Sequence, residues 1–279
     1  MPLGGQAVIE GVLIADEEHA VLAVRNPNGA VVIEPLLVPR FPKLERIPLV
    51  RGPIKLYQLL SLGLRALQRS AEIAYPEEKS STWDYILAVG LALLILLGGF
   101  IALPFFLASR ITVPSQMLLN LVEGGIRVAF FTLYLWGISF LPDVRRVFQY
   151  HGAEHKVVHA YEKGTPELPS ALKQSPIHAR CGTNFVFLFV VVAVLVFSLI
   201  PTSTFWTRLL ARVLLIPVVA AITYELLLLG AKGRWLRPLL WPGLLFQKLT
   251  TREPAPEQIE VALAAVRQVL AARSPSTTE

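Results

Sequence analysis

The sequence predicts a mainly α-helical, polytopic membrane protein with four transmembrane helices, a small N-terminal β-meander and cytoplasmic amphipathic helices. Three observations predict it. Of 279 residues, 54% are hydrophobic and only 16% charged, whereas a soluble domain carries about 25% charge. The mean hydropathy is +0.55, and the apolar residues fall into separate long runs. Lys and Arg gather in the segments on one side of those runs, as the positive-inside rule requires. The apolar content also excludes disorder. The net charge of +6 therefore reads as topology and attraction to anionic lipid, with no nucleic acid expected. The single cysteine, Cys181, cannot form an internal disulfide and gives no argument for an oxidising compartment.

In chain order, residues 1–40 are expected to form the cytoplasmic meander. Its strands are Gln6–Ile14, Ala20–Arg25 and Ala30–Val38, and Asn26-Pro27-Asn28-Gly29 is a turn by composition. Met1–Gly11 has no basic start followed by an apolar core, so the first span is expected to act as an uncleaved insertion signal. Residues 41–82 read as a proline-punctuated linker leading into an amphipathic stretch, Ile54–Ala74.

Residues 83–230 carry the four spans, each near the about 20 residues a bilayer needs. They are Trp83–Ala108, Ser115–Leu141, Phe185–Ile200 and Leu209–Gly230, with Trp83, Trp136, Trp206 and Trp235 near their ends as an interfacial belt. Residues 231–254 read as interfacial, because their apolar stretch Trp235–Leu249 is broken by Pro238 and Pro242 and is too short to span. Residues 255–279 hold a C-terminal amphipathic helix with Ile259, Val266, Val269 and Leu270 on its apolar side. The basic residues lie before the first span, after the second and after the fourth. That places both termini and the long middle loop in the cytoplasm.

The middle loop holds the most informative segment, a helix expected over residues 142–163 and followed by a loop to residue 184. Pro142-Asp143 is a helix start and Gly164 a stop. It reads His151-Gly-Ala-Glu154-His155-Lys-Val-Val-His159-Ala-Tyr-Glu162, with three of the chain's five histidines. At about 100° per residue His151, His155, His159 and Glu162 share one face, with Glu154 at its margin. His151 and His159 stand about 12 Å apart along the axis, too far to meet on one tetrahedral ion. The stripe therefore offers either one ion on an adjacent pair or two ions in a row. His151-x-x-Glu154-His155 also has the order of the inverted zinc-peptidase motif, in which the glutamate activates water. The alternatives are a non-catalytic metal site and a solvated polar face.

Further ligands are expected from outside the helix. Glu225 lies in the fourth span near its cytoplasmic end, and an intramembrane carboxylate is a functional hypothesis by default; the competing reading is a structural pair with a basic residue. Glu123 and Arg127, four apart on one helix, read as such a pair. His178 and Cys181 close the loop before the third span, and imidazole and thiolate both suit zinc. A cap for that span would equally explain Thr183 and Asn184. His19 and Glu10 read as exposed.

Several strings together resemble the bacterial YqhQ-like membrane proteins over nearly the whole chain. They are Gly4-Gly5-Gln6-Ala7-Val8-Ile9-Glu10-Gly11-Val12, Gln149-Tyr150-His151-Gly152-Ala153-Glu154-His155-Lys156, Arg180-Cys181-Gly182-Thr183, Tyr224-Glu225 and Leu249-Thr250-Thr251-Arg252-Glu253-Pro254. Where that family commonly has a proline between the histidine and Arg-Cys, this chain has Ala179. The resemblance implies a multi-pass protein of the bacterial inner membrane and a metal-dependent enzyme. It adds weight to Glu10, His178, Cys181 and Glu225.

The leading expectation is a membrane-embedded, metal-dependent hydrolase with its site at the cytoplasmic face. His151 and His155 would bind a divalent ion of the zinc type, completed by Glu225 or Cys181, with Glu154 as general base. His159 and Glu162 would support the shell or hold a second ion. The partners are the lipid bilayer and a peptide or lipid-derived substrate, and an oligomer is compatible with the sequence. Two other classes stay open: a metal sensor or transporter, and an assembly or anchoring factor without catalysis. Further polar residues at mid-membrane would mark a transporter, and spans one and three offer almost none.

Overall fold

A computed structural model of the chain describes residues 3–77, 82–178, 181–199, 205–232 and 241–273. Trp235, Ala179, Pro238 and the end of the third expected span at Ile200 lie outside those residues. The described chain is mainly helical with one four-stranded antiparallel sheet.

The sheet runs β1 (Gly4–Val8), β2 (Gly11–Ala15), β3 (Ala20–Arg25) and β4 (Val31–Leu36), in that spatial order. The expected first strand, Gln6–Ile14, is in fact a hairpin. Ile9 and Glu10 form its two-residue loop, and Glu10 takes a positive φ of 51°. The apolar run continues across this turn, and glutamate is not a residue that favours a left-handed backbone, so composition alone hides it. Gly11 follows because a Cβ there would lie 2.1 Å from the Ala23 carbonyl oxygen. The Asn26–Gly29 turn forms as expected. The Asn26 side chain accepts the Ala30 N–H at 2.9 Å, and Gly29 sits at φ 82°.

Alternation along β2 and β3 buries both faces of the sheet. Val12, Ile14, Val21 and Ala23 point into one core; Leu13, Leu22 and Val24 point into the other. Helix α1 (Arg51–Ala74) covers the second face with Leu62, Ala66 and Ala74. The first face is covered by α5 (Pro142–Glu162) and α10 (Pro256–Arg273). The C-terminal helix is amphipathic as expected, with Glu257, Glu260, Arg267 and Gln268 exposed, but its apolar side is wider than Ile259, Val266, Val269 and Leu270. Val261, Ala262, Leu263 and Ala265 are buried as well, because the helix packs on both the sheet and α5. Arg273 at its end donates through Nε to Asp16 at 2.7 Å, fastening the helix to the β2–β3 turn.

Among the described residues, three helices are long and apolar enough to cross a membrane: Gly90–Ala108, Gln116–Ile138 and Leu210–Gly230. Only 12%, 11% and 28% of their apolar windows are buried within the chain, leaving the wide apolar surfaces that lipid covers. The first is built from α2 (Thr82–Leu94), a π-helical stretch Ile95–Ala102 containing Gly98-Gly99, and α3 (Leu103–Ala108). The second is α4 (Gln116–Ile138), capped by Ser115 Oγ accepting the Leu118 N–H at 3.2 Å. The third lies in α8 (Phe205–Lys232), which carries Pro217. Between them, after the short α6 (Leu168–Leu172), α7 (Gly182–Ser198) is apolar but only 17 residues long. Glu123 accepts from Arg127 at 2.6 Å and from Arg212 of α8 at 2.7 Å. The expected pair is thus a three-membered link between two helices. Helix α9 (Trp241–Thr250) packs against α4 and α7, with Phe246 stacked on Phe131 and close to Phe187.

Candidate metal centre

Helix α5 ends in a glycine motif: the Thr165 N–H donates to Ala160 O and the Gly164 N–H to Tyr161 O, with Gly164 at φ 77°. Between its proline start and this stop the helix is wrapped on several sides. Ala153, Val157 and Ala160 enter the core, while Glu154, His155 and Lys156 are also buried. The histidine face is therefore not a solvated surface. Gly152 permits the tightest crossing, because a Cβ there would lie 2.1 Å from the Arg252 carbonyl oxygen. The Leu249–Pro254 string runs across α5 at that point, with the Arg252 N–H donating to Phe148 O at 2.9 Å.

This crossing orients the first histidine. His151 Nδ1 lies 2.8 Å from Thr250 O. A carbonyl only accepts, so Nδ1 carries the proton and Nε2 keeps its lone pair. The same logic holds along the stripe. His155 Nδ1 donates to Pro176 O at 2.6 Å, and His159 Nε2 donates to Ile177 O at 3.0 Å. Three imidazoles are thus each fixed by a backbone carbonyl, leaving the opposite nitrogen as an acceptor. Metal-binding histidines are oriented in this way.

Two groups of donors result. His151, His155 and Cys181 bring ligand atoms within 4.8 Å of one another, and so do His159, Glu162 and His178. In the first, His151 Nε2 is 3.2 Å from Cys181 Sγ. His155 Nε2 is buried with no hydrogen-bond partner among the described residues, although Glu154 Oε2 lies 3.4 Å away. A buried polar atom without a partner is costly, and this one points among ligand-type atoms. These residues fit a divalent ion of the zinc class by donor type. In the second group His178 Nε2 is 3.2 Å from Glu162 Oε1, and the His159 and His178 rings are 4.3 Å apart. The expected stripe divides in two, each half joined by one residue of the following loop.

The loop is held by residues the sequence reading did not single out. Gln247, fully buried in α9, accepts the His178 N–H at 2.9 Å and donates to His178 O and Asn184 Oδ1. Cys181 caps α7, and its sulfur contacts Thr183 Oγ1 at 3.2 Å. Lys156 donates to Leu172 O at 3.0 Å and pairs with Glu253 at 2.5 Å. The signal for Gln247 was its polarity inside an apolar segment.

Burial sets the protonation of the metal-free centre. It depresses His155 to about 3, helped by neighbouring His151, and His178 to about 4, helped by His159. His151 is lowered by burial as well. All three are neutral at pH 7, as ligands must be. Burial raises the Cys181 thiol to about 11 and the Glu154 carboxyl to about 8. Glu154 is 5% exposed and packs on Gly5 of β1, where a Cβ would sit 2.6 Å from Glu154 Cγ. Both face a cavity of about 700 Å³ that also receives His151, His155, His178 and Cys181.

Two expected residues lie elsewhere. Glu225 is not brought to either group; it accepts from Arg51 through both oxygens and from the Leu49 N–H at 3.1 Å. Glu10 is not a free strand carboxylate. It forms a two-pronged ion pair with Arg146 on α5, and Tyr150 Oη lies 3.4 Å away.

Comparison with known proteins adds kinship. Residues 47–272 match the family described as protein of unknown function DUF1385. The chain is similar to the uncharacterized protein YqhQ of Bacillus subtilis (strain 168), at 36% identity over 96% of this chain and 92% of that protein. No solved structure matches.

Proposed function

The chain belongs to the DUF1385 family, and we propose that it is a membrane-embedded, metal-dependent hydrolase. The observation that carries this reading is the convergence of His151, His155 and Cys181, with the unpartnered, buried His155 Nε2 among them. These three hold one divalent ion of the zinc class, and His159, Glu162 and His178 form a second position. Such an ion, when bound, supplies Lewis-acid chemistry and makes water acidic enough to react near neutral pH. The Thr250, Pro176 and Ile177 carbonyls keep the imidazoles in the tautomers that ligation needs. Burial alone keeps the Glu154 carboxyl protonated at neutral pH; a divalent ion beside it would favour the carboxylate, and Glu154, lining the cavity beside His155, would then take and return the proton during hydrolysis.

In the same reading α7 is a fourth, short span of about 25 Å, against a hydrocarbon core of about 30 Å. The basic residues around α1, α5 and α9 support a reading in which the metal centre and both termini face the cytoplasm from a bacterial inner membrane. The test uses purified protein, metal analysis and a panel of ester and peptide probes. Glu154→Gln is expected to keep its metal and lose turnover, while His155→Ala loses both. Turnover that persists in Glu154→Gln, or metal that persists in His155→Ala, would contradict the proposal.

A further inference from the structure

The exposed residues that line the cavity beside the metal centre are Gly4 and Glu17 of the sheet region, Leu59 of α1, and Gly182 and Val186 of α7. Leu59 is 36% exposed, and Val186, in the second turn of α7, is 43% exposed. The walls are largely apolar, with Leu13, Leu62, Phe148 and Val158 lining the same cavity as His155 and Glu154. Two of its exposed lining residues are therefore apolar and belong to α1 and the apolar helix α7.

Helix α1 carries a second apolar stripe, separate from the one it buries against the sheet. Tyr57, Leu60, Leu64 and Leu67 are all exposed. At about 100° per residue they share one face, opposite the buried positions Leu62 and Ala66. The helix also packs on a candidate span. Gly52 lies so close to α8 that a Cβ there would be 2.7 Å from Ala220 O and 2.8 Å from Ala221 Cα. Arg51 pairs with Glu225 at the same crossing. A helix anchored on a span, with an uncovered leucine stripe, has the pattern of an interfacial helix with its apolar face in the acyl boundary.

We propose that Leu59 and Val186 form a mouth through which the cavity admits a bilayer amphiphile, with its acyl chain against Leu62 and Phe148 and its polar group at the metal centre. This rests on the hydrolase reading for what happens at the polar group, but lipid entry is independent of it. The α1 stripe holds the mouth at the depth of the acyl chains, so the substrate reaches the site without crossing water.

The full chain is reconstituted in vesicles of phosphatidylglycerol and phosphatidylethanolamine containing phosphatidylglycerol with a diazirine in its acyl chain. After illumination, labelled residues are mapped by mass spectrometry and metal is measured on the same samples. The expected result is label on Leu62, Phe148 or neighbouring cavity residues, besides the lipid-facing residues of α2 and α4. Val186→Trp at the mouth and Leu62→Trp inside it each remove the cavity label and leave the α2 and α4 label unchanged. An unlabelled cavity beside labelled spans overturns the proposal, as does cavity label indifferent to both substitutions. Bound metal with an unlabelled cavity refutes lipid entry alone; a labelled cavity without metal supports lipid entry and refutes the metal reading.

Discussion

His151 Nε2 and Cys181 Sγ lie 3.2 Å apart although 30 residues separate them in the chain. The helix supplies one atom and the cap of α7 supplies the other, so the pair joins α5 to an apolar helix through a candidate ligand set. Cys181→Ser preserves size and removes the soft donor that favours zinc. Zinc affinity should weaken by more than the about 10–100-fold that follows loss of an outer partner, with the protein still folded. Competition against a chelator measures it, and unchanged affinity would exclude Cys181 as a ligand.

Gly152→Ala tests the crossing that orients His151. A Cβ there would stand 2.1 Å from backbone, not from a flexible side chain, so α5 and the Arg252 segment must part. The expected cost is about 1–3 kcal/mol, seen as a lower unfolding temperature in detergent, together with weaker metal retention as His151 loses the Thr250 carbonyl.

Glu225→Gln separates a structural carboxylate from a ligand. Glu225 is already paired with Arg51, both partly exposed. The substitution should therefore leave metal content unchanged and cost about 1 kcal/mol or less. Loss of metal in this variant would return Glu225 to the metal shell.

The Asp16–Arg273 contact should be visible in acid. Burial raises the Asp16 carboxyl, but the His19 and Glu18 amides and Arg273 outweigh it and hold the group below its ordinary 3.8. A depressed carboxylate adds stability above the ordinary value that is lost as pH falls through the folded one. Wild-type protein should lose thermal stability between about pH 5 and about pH 3. Asp16→Asn should start lower and show a weaker pH dependence over that range.

Much of this was legible in the sequence, for reasons that differ by element. The long apolar helices declare themselves because a run of about 20 mostly apolar residues reads as a span, and α5 because proline, glycine and a histidine period coincide. Glu10 was misread because its partner Arg146 is 136 residues away. The apolar side of α10 was legible but its full width was not, because alanine counts for little in an amphipathic pattern, yet packs closely on a sheet. The division of the histidine stripe into two groups depends on where His178 and Cys181 fold back, which Gln247 and the Pro176 and Ile177 carbonyls decide. None of these long-range contacts has a period that a sequence can display.

Elemental analysis of the purified full-length protein, beside a His151→Ala/His155→Ala double variant, tests the central claim most directly. Wild-type protein is expected to retain a zinc-class divalent metal through purification, and the double variant to lose it while still folding. Metal-free wild-type protein that takes up none when offered, or full occupancy in the double variant, would contradict the account.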